Sequence, residues 1–399
     1  EEGDLDDISF VDPPIENRQT TEHYFEIDPN NQIYFFQIMT EDVWGKTSYS
    51  GEPEKAVPYD QVVFHSDRDD DFNIYRVQLD FDNDEFLIDR VADLNGNDFN
   101  PVFSPWGSKI AFYSRQNMNY EIYKLNANGY GLDNLTNHSS NDYNPQFTSD
   151  GSRIIFESTR TGNLQLYSLP VNEDGSNLTQ LTSNYGSNSD FNVSSGKIVY
   201  TSSVQGNSDV WIMNENGSNK INCTGYMSDE YDPDINSDGS EIIYLKSGIV
   251  DSTTGTIQID LFWKNLITGD SLQLTNDGYI ESNPRFLPDD FSPDGKLGKY
   301  IIYESDKDGT SSLWIQELPD IIDDLDEFPK DIIELYALNS SNQKNMNVTK
   351  IVIDNLEVYR MVYESDEDGT SSIFIVDEFG NKTNLTNNLG NDYFPRIQP

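Results

Sequence analysis

The sequence has few of the residues that cross-link chains or bind transition metals. Its 399 residues include one cysteine, Cys223, and three histidines, His23, His65 and His138. A single cysteine excludes an internal disulfide and cannot by itself build a zinc site. The three histidines fall at different places in the chain, so a metal centre with several histidines is not expected. We therefore expect a fold that is stable without cross-links.

Basic residues are also scarce. Lys and Arg total 25 against 70 Asp and Glu, which gives a formal net charge of −45 at pH 7. A polyanion of this size is repelled by nucleic acid and by anionic lipid headgroups, so neither is expected as a partner. Basic patches on proteins and multivalent cations are the partners that this charge favours.

Long apolar runs are missing as well. No stretch approaches the ~18 consecutive apolar residues that read as a membrane-spanning helix. No signal peptide precedes Glu1, so we expect the numbering to begin after a processing site. The chain is nevertheless 35% hydrophobic and 12% aromatic, with 23 tyrosines. That content is enough for packed β-structure and too high for a disordered chain.

The chain is instead built from a repeat of about 44 residues, a period typical of solenoids and propellers. The unit begins with an Asx-aromatic-x-Pro-x-Phe strand, as in NDFNPVF at 97–103 and NDYNPQF at 141–147. A turn such as SPWG or TSDG follows, then a strand such as IAFYS or IIFES, a polar loop, and a strand such as EIYKL or LQLYS. A Leu-Thr strand closes the unit. Alternating apolar residues between turn residues indicate short antiparallel strands.

Regular spacing gives the number of units. Eleven residues separate the aromatics of the second and third strands in six units: Phe64 and Tyr75, Phe112 and Tyr123, Phe156 and Tyr167, Tyr200 and Trp211, Tyr303 and Trp314, Tyr363 and Phe374. A seventh pair, Tyr244 and Phe262, is eighteen residues apart because of an insertion. Four strands per unit and no helical periodicity predict a seven-bladed all-β propeller of antiparallel blades, with six or eight blades as alternatives.

The two ends of the repeat region predict how the ring closes. The first hairpin, at 62–75, lacks an Asx-aromatic-x-Pro strand of its own, whereas the chain finishes on one, NDYFPRIQP. We predict that this C-terminal strand, with Phe394, Pro395 and Arg396, pairs beside the strand through Phe64. Closure of this kind leaves no open joint in the ring.

The sequence divides into three parts. Residues 1–22 are acidic and contain proline, which predicts a flexible tether. Residues 23–57 alternate enough to form a hairpin, and we expect an N-terminal extension that packs on the ring. Residues 58–399 form the propeller. Within it, an acidic insertion at 317–347 is either a solvated loop or a partner contact, with short helical turns or an extra hairpin.

The repeat resembles the WD40-like PD40 propeller repeat of the TolB family. NPVFSPWGSKIAFYSRQ and NPQFTSDGSRIIFESTRTGNLQLY carry this resemblance most clearly. It implies a bacterial envelope or periplasmic setting. Two features depart from TolB: 57 N-terminal residues are too few for its α/β domain, and seven units replace six blades. The opening EEGDLDD also resembles the acidic run behind the lipidated cysteine of Bacteroidota surface lipoproteins, which implies an outer-membrane lipoprotein anchored ahead of Glu1.

Charged loops after the second strands are the candidate site. We expect ligand or partner binding by Asp67, Arg68, Arg115, Arg160, Asp306, Lys307 and Asp366. The loops also suggest calcium ligands at Asp67, Asp69, Asp306, Asp308, Asp366 and Asp368, but they lack EF-hand spacing, and turn capping by Asp is the alternative. A serine follows the second-strand aromatic in six units, where it is expected to bond the turn backbone.

No catalytic residue stands out. GTSS at 309–312 and 369–372 is not the G-x-S-x-G of a nucleophile elbow, and the sequence ends at ring closure, where no hydrolase domain is expected. The sequence thus predicts a non-enzymatic, protein-binding scaffold of the bacterial envelope without a cofactor unless calcium binds. One alternative is a glycan-binding component of a surface uptake system, with exposed rings such as Trp106 and Tyr130 on the sugar, although packing is expected for both. A metal-dependent propeller lyase or hydrolase is another.

Overall fold

The structure is a computed structural model, and every regular element in its described residues is a β-strand. The described residues are 35–36, 39–41, 47–49, 54–55, 61–80, 85–116, 118–172, 176–250, 257–289, 299–307, 309, 311–318, 332–333, 343–353, 356–367, 369–377, 382–386 and 390–397. None of them forms a helix long and apolar enough to cross a membrane. The chain separates into two compact units, Glu1–Tyr59 and Asp60–Pro399.

The described residues of the first unit form four short strands in two antiparallel pairs. They are β1 (Phe35–Phe36), β2 (Met39–Glu41), β3 (Thr47–Tyr49) and β4 (Glu54–Lys55), with β1 beside β4 and β2 beside β3. The tether predicted at 1–22 lies outside the described residues. The packing predicted for 23–57 stays a prediction.

The second unit consists of seven four-stranded antiparallel sheets, which confirms the predicted seven-bladed propeller. Blades 1 to 3 contain β5 (Gln61–Ser66), β6 (Asn73–Asp80) and β7 (Glu85–Ala92); β8 (Asp98–Phe103), β9 (Lys109–Gln116), β10 (Asn119–Asn126) and β11 (Asp133–Asn134); and β12 (Asp142–Phe147), β13 (Arg153–Thr161), β14 (Asn163–Pro170) and β15 (Thr179–Gln180). Blades 4 and 5 contain β16 (Asn188–Ser194), β17 (Lys197–Ser202), β18 (Asp209–Asn214) and β19 (Ile221–Asn222); and β20 (Glu230–Ile235), β21 (Glu241–Val250), β22 (Ile257–Asn265) and β23 (Ser271–Gln273).

Blades 6 and 7 contain β24 (Glu281–Phe286), β25 (Lys299–Ser305), β26 (Ser312–Leu318) and β27 (Ile332–Ile333); and β28 (Gln343–Ile353), β29 (Leu356–Ser365), β30 (Ser372–Asp377) and β31 (Lys382–Asn384). The predicted insertion at 317–347 is therefore too long at both ends. Leu318 ends β26, β27 supplies the fourth strand of blade 6, and residues from Gln343 onward begin blade 7.

The last strand, β32 (Asp392–Ile397), closes the ring as predicted. It pairs with β5 in antiparallel register, with Asp392 opposite Ser66 and Arg396 opposite Val63. Because β32 becomes the innermost strand of blade 1, that blade contains both ends of the propeller sequence.

Seven apolar clusters lie between adjacent blades, one at each joint. The cluster that joins blades 7 and 1 includes Phe64, Val77, Val362 and Ile375, and Ile397 of the closing strand is 3% exposed within it. The other six clusters follow the same arrangement around the ring. Full burial of each such side chain contributes roughly 1.5–3 kcal/mol, so the joint made by the terminal strand is stabilised in the same way as the others.

Candidate functional site: a central channel and two loop faces

The innermost strands of all seven blades line a central channel and share one backbone feature. Each strand contains a β-bulge, and one residue of each bulge has a positive φ between 47° and 52°. Asn and Asp tolerate this left-handed conformation better than other side chains that carry a Cβ. They occupy it in six blades, and Phe394 occupies it in blade 1: Asn100, Asn144, Asp190, Asp232, Asn283, Asn345 and Phe394.

Glutamates on the second strands link neighbouring blades beside these bulges. Glu157 accepts hydrogen bonds from the Asn144 side chain of its own blade and from the backbone N–H of Asp190 in the next, both at 2.9 Å. Glu304 accepts from the Asn283 side chain at 2.8 Å and from the backbone N–H of Asn345 at 2.9 Å. The glutamate of the sequence motif IIFES or IIYES is therefore an inter-blade contact.

A cavity of about 590 Å³ occupies the channel and is lined by residues of every blade. Charged side chains line it from four of the innermost strands. Arg285 lies 3.3 Å from Asp232, measured from Nη1 to Oδ1, and Asp234 accepts a hydrogen bond from the backbone N–H of Phe286 at 2.8 Å. Burial raises the pKa of Asp234 to about 6 and the pKa of Glu157 to about 7. The channel wall is therefore polar, with carboxylates concentrated on blades 3 to 5.

Arg396 stands apart from these pairs. It lies in the channel wall on the closing strand, and within the described residues its guanidinium donates only to the carbonyl of Pro395, at 3.0 Å. Burial, followed by the nearby charge of Arg285, lowers the pKa of Arg396 to about 10. Arg396 therefore remains a cation at neutral pH without a carboxylate partner in the described part of the chain.

A second ring of polar residues lies at the start of each innermost strand, and its members are almost completely buried. They are Asp98, Asp142, Asn188, Glu230, Glu281, Gln343 and Asp392. Six of them lie opposite the repeated serine of the second strand, and Glu230 lies opposite Lys246. Burial raises the pKa of Asp98 to about 7 and that of Glu281 to about 8. These carboxyls hold protons unusually tightly because the fold surrounds them with protein.

The loops that carry the sequence-predicted site residues all lie at one end of the ring. Since strands alternate in direction, the loop after each second strand and the connection between blades share this end, which we call the front face. The turns after the innermost and third strands form the rear face. All seven predicted binding residues thus belong to the front face.

Two of those residues form ion pairs with buried carboxylates. Arg68 pairs with Asp392 at 2.7 Å and lies over the ring of Tyr75 at 4.6 Å, whereas Arg160 pairs with Asp142 at 2.8 Å and lies over Tyr167 at 4.8 Å. Asp142 and Asp392 have no exposed surface. Arg68 and Arg160 therefore compensate buried carboxylates within their own blades, so their charge is less available to a ligand.

The remaining predicted residues are more accessible. Arg115 is exposed, with its guanidinium 5.9 Å from the centre of the Tyr120 ring. Lys307 lies 4.9 Å from the centre of the Trp314 ring and 3.8 Å from Asp277. Asp306 accepts from the backbone N–H of Ile280 at 2.9 Å, and its carbonyl and that of Asp366 each accept from a glycine three residues on.

The predicted calcium loops contain turn contacts. Asp67 accepts from the backbone N–H and side chain of Asn391 at 2.7 and 3.0 Å, and Asp69 accepts from the hydroxyl of Tyr75. Among the described residues, no three His, Cys, Asp or Glu side chains are grouped closely enough to hold a metal. Asp308 and Asp368 lie outside the described residues, so calcium binding stays a prediction.

The repeated serines partly follow the prediction. Ser66, Ser158 and Ser365 each accept from the backbone N–H two residues later, at 3.3, 3.3 and 3.4 Å. They therefore bond the turn backbone as expected. They also lie opposite the buried polar ring, a second role that the sequence did not indicate.

Apolar side chains project from the front face at blades 4 to 6. We call this set the front patch: Tyr185, Val204, Tyr226, Met227, Tyr279 and Ile280. Tyr185 and Met227 are fully exposed, and the others are 37–47% exposed. Lys246 lies 3.9 Å from the centre of the Tyr226 ring, so the patch also carries a cation.

Exposed rings on the rear face contradict the packing expected for them. Trp106 is 77% exposed and Tyr130 is 73% exposed. Both occupy turns of blade 2, where a tight turn leaves the side chain no neighbouring strand to cover it. The sequence indicated these two rings but none of the front patch, whose members, except Val204, lie in the connections between blades.

Comparisons with known proteins identify the repeat. Residues 84–247 match a family model described as the TolB beta propeller domain, PD40. These residues carry TolB-like propeller repeats. The resemblance predicted from the sequence is therefore confirmed for this part of the chain. No curated protein matches the sequence significantly.

Solved structures are similar to this chain at low sequence identity. The β-propeller domain of the trilobed protease from Pyrococcus furiosus is 12% identical over 79% of this chain and 88% of that chain, with a TM-score of 0.50. A structure from a study of two prolyl endopeptidases is 13% identical over 82% of this chain and 49% of that chain, with a TM-score of 0.50. TolB from Acinetobacter baumannii is 13% identical over 90% and 78%, with a TM-score of 0.47.

The two similarities with a TM-score of 0.50 show the fold alone. The Pyrococcus furiosus domain is described as having an open velcro topology. In the chain described here, β32 instead pairs with β5 and joins the last part of the sequence to the first blade.

Proposed function

We propose that this protein is a non-catalytic, protein-binding scaffold of the bacterial cell envelope and that the front patch holds its partner. One observation carries the proposal: fully exposed Tyr185 and Met227 lie among four other apolar side chains on one face of a strongly acidic protein. Aromatic residues and methionine are enriched at protein interfaces, whereas an acidic monomer gains nothing from exposing them.

Charge indicates the chemistry of the partner. The net charge of −45 attracts a basic surface over long range, and Asp229, Asp277 and Asp306 border the front patch. We therefore propose a partner with a basic rim around an apolar centre. Steering of this kind speeds association at low salt and weakens as ionic strength rises.

The envelope setting rests on the TolB-like repeats at 84–247 and on the acidic start of the sequence. Both features are consistent with an outer-membrane lipoprotein whose propeller faces the periplasm or the cell surface, and this is the localisation that we propose. A glycan partner would stack on the exposed tyrosine rings of the front patch. The experiment below distinguishes a glycan partner from a protein partner.

Quantitative co-purification from native envelopes tests the proposal. The wild type is compared with Tyr185→Ala/Met227→Ala on the front face and with Ile267→Ala, a matched control on the rear face where Ile267 is 80% exposed. We expect a protein that the wild type and the control retain and the front-patch variant loses, with recovery that falls as salt rises. Equal recovery by all three proteins would refute the proposal, and capture of a glycan in place of a protein would replace it.

A further inference from the structure

We infer that the central channel contains a binding site for a carboxylate group, built around Arg396 and Asn347. This site is separate from the front patch and does not depend on the proposed function. It would take a small carboxylate with an apolar body, either as a free molecule or as the carboxyl end of a peptide.

The cation of the site lies on the closing strand. Arg396 remains charged at neutral pH, yet within the described residues it bonds only the carbonyl of its own neighbour, Pro395. A guanidinium removed from bulk water without a counter-charge is costly, and an incoming carboxylate removes that cost through two parallel hydrogen bonds. The chain has a net charge of −45, so carboxylates that could pair with an arginine are plentiful. An arginine that lines the channel without such a partner is explained if a ligand supplies the anion.

A second donor stands beside it on blade 7. The side-chain oxygen of Asn347 accepts from the backbone N–H of Ile397 at 3.0 Å. This bond fixes the amide orientation and leaves its NH₂ group to donate into the channel. Arg396 and Asn347 thus present donors from adjacent innermost strands, both of which line the cavity.

The rest of the cavity indicates the size and charge of the ligand. Its volume of about 590 Å³ lies within the roughly 300–1,000 Å³ typical of small-molecule sites. Phe394, Met346 and Leu287 give the wall near Arg396 an apolar surface. Across the ring, Asp190, Asp232 and Asp234 would repel a dianion such as phosphate. A monocarboxylate with an apolar body therefore fits better than a phosphate.

The arrangement also explains why Arg285 is not the primary ligand. Arg285 already lies 3.3 Å from Asp232, and the neighbouring Asp234 and Glu304 further stabilise its charge. Its positive charge, however, reaches Arg396 and adds to the potential that attracts an anion. Arg285 thus neutralises Asp232 and contributes positive potential near Arg396.

Arginine side-chain ¹H–¹⁵N spectra of the whole protein provide the test. The Arg396 Nε–H signal, assigned with Arg396→Lys, is followed during titration with benzoate and, separately, with the peptide Gly-Gly-Phe. Benzamide and amidated Gly-Gly-Phe are the neutral controls for each. We expect the carboxylates to shift this signal and the amides to leave it unchanged. Movement by benzoate alone indicates a free acid, and movement by the peptide alone indicates a chain terminus.

Variants complete the test. Benzoate binding by the variants is measured by isothermal titration calorimetry, because Arg396→Gln lacks the reporter signal. Arg396→Gln should weaken carboxylate binding about tenfold or more, as expected for loss of a charge-assisted hydrogen bond, whereas Arg90→Gln, on the outermost strand of the same blade, should not. Thermal unfolding confirms that both variants fold. The inference is overturned if neither carboxylate shifts the Arg396 signal at ligand concentrations up to about 10 mM. A dissociation constant above that value is weaker than the millimolar affinity of a weak specific site. It is equally overturned if benzamide shifts the signal as much as benzoate, or if Arg396→Gln binds benzoate as the wild type does.

Discussion

Buried carboxyls at the starts of the innermost strands predict that the protein is more stable at mildly acidic pH than at alkaline pH. Asp98 has no exposed surface, and neither of its carboxylate oxygens makes a hydrogen bond within the described residues. Burial, strengthened by the charges of Asp71 and Asp93, raises its pKa from the ordinary 3.8 to about 7. Glu281 behaves similarly, with a pKa of about 8. In the unfolded chain both groups lose their protons near pH 4.

The sign of the effect follows from proton binding. Between about pH 4 and pH 7 the folded protein holds a proton on Asp98 that the unfolded chain has lost, so stability falls as pH rises through this window. A tenfold change in proton affinity corresponds to about 1.4 kcal/mol, so Asp98 alone lowers the unfolding free energy by up to about 4 kcal/mol at pH 8. Repulsion within a net charge of −45 changes stability in the same direction.

Asp98→Asn isolates this contribution, and the chain supplies the precedent, because Asn188 occupies the same position in blade 4. Urea unfolding is measured from pH 5 to pH 8. We expect the variant to be more stable than the wild type by about 4 kcal/mol at pH 8 but by only about 2 kcal/mol at pH 5. Asp133→Asn, an exposed carboxyl of the same blade, is the control and should keep the wild-type slope. An unchanged pH slope in Asp98→Asn would refute the reasoning.

Three further outcomes are expected. Arg68→Ala should lower the unfolding free energy in urea by about 3–5 kcal/mol, because it leaves the fully buried Asp392 without its counter-charge; a loss below about 1 kcal/mol would show that this pair does not hold the closing strand in blade 1. Asn345→Ala should be less stable than Asn345→Gly by about 1 kcal/mol, since alanine is strained at a φ of 50°; equal losses would assign the whole effect to the lost side-chain bond with Glu364. If the loops with Asp306 and Asp366 bind calcium, the Tm should be lower in EDTA than in calcium-containing buffer. An equal Tm in the two buffers would show that these loops are turns without a bound ion.

The fold was predictable from the sequence because a propeller repeats its constraints. An aromatic pair such as Phe64 and Tyr75 recurs at fixed spacing, since each blade must present the same cross-strand contact to its neighbour. The closing strand was predictable for the same reason, as one hairpin lacked an innermost strand and the end of the sequence offered one. The strand at Ile332–Ile333 was not predictable, because a two-residue outer strand is defined by its partner, β26, and leaves no periodic signal.

The site was predicted less well because charge alone does not distinguish a ligand contact from an internal ion pair. Arg68 and Arg115 occupy equivalent loops in the sequence. Only the structure shows that Arg68 neutralises buried Asp392, whereas Arg115 remains exposed. Arg396 was missed for the opposite reason. It lies in a strand whose pattern was read as structural, and the residue that projects into the channel differs from blade to blade.

That variation indicates where specificity resides in this molecule. Ring closure requires Asn or Asp at the bulges, a buried polar residue at each strand start and an aromatic pair in every blade, and the sequence meets these requirements almost without exception. Two positions after each bulge, no such requirement applies, and most of the residues differ: Val102, Gln146, Asn192, Asp234, Arg285, Asn347 and Arg396. If the channel served only for packing, the same apolar residue could occupy this position in all seven blades. The separation of acids on blade 5 from the arginines on blades 6 and 1 is therefore better explained by recognition of a charged group than by the demands of the fold.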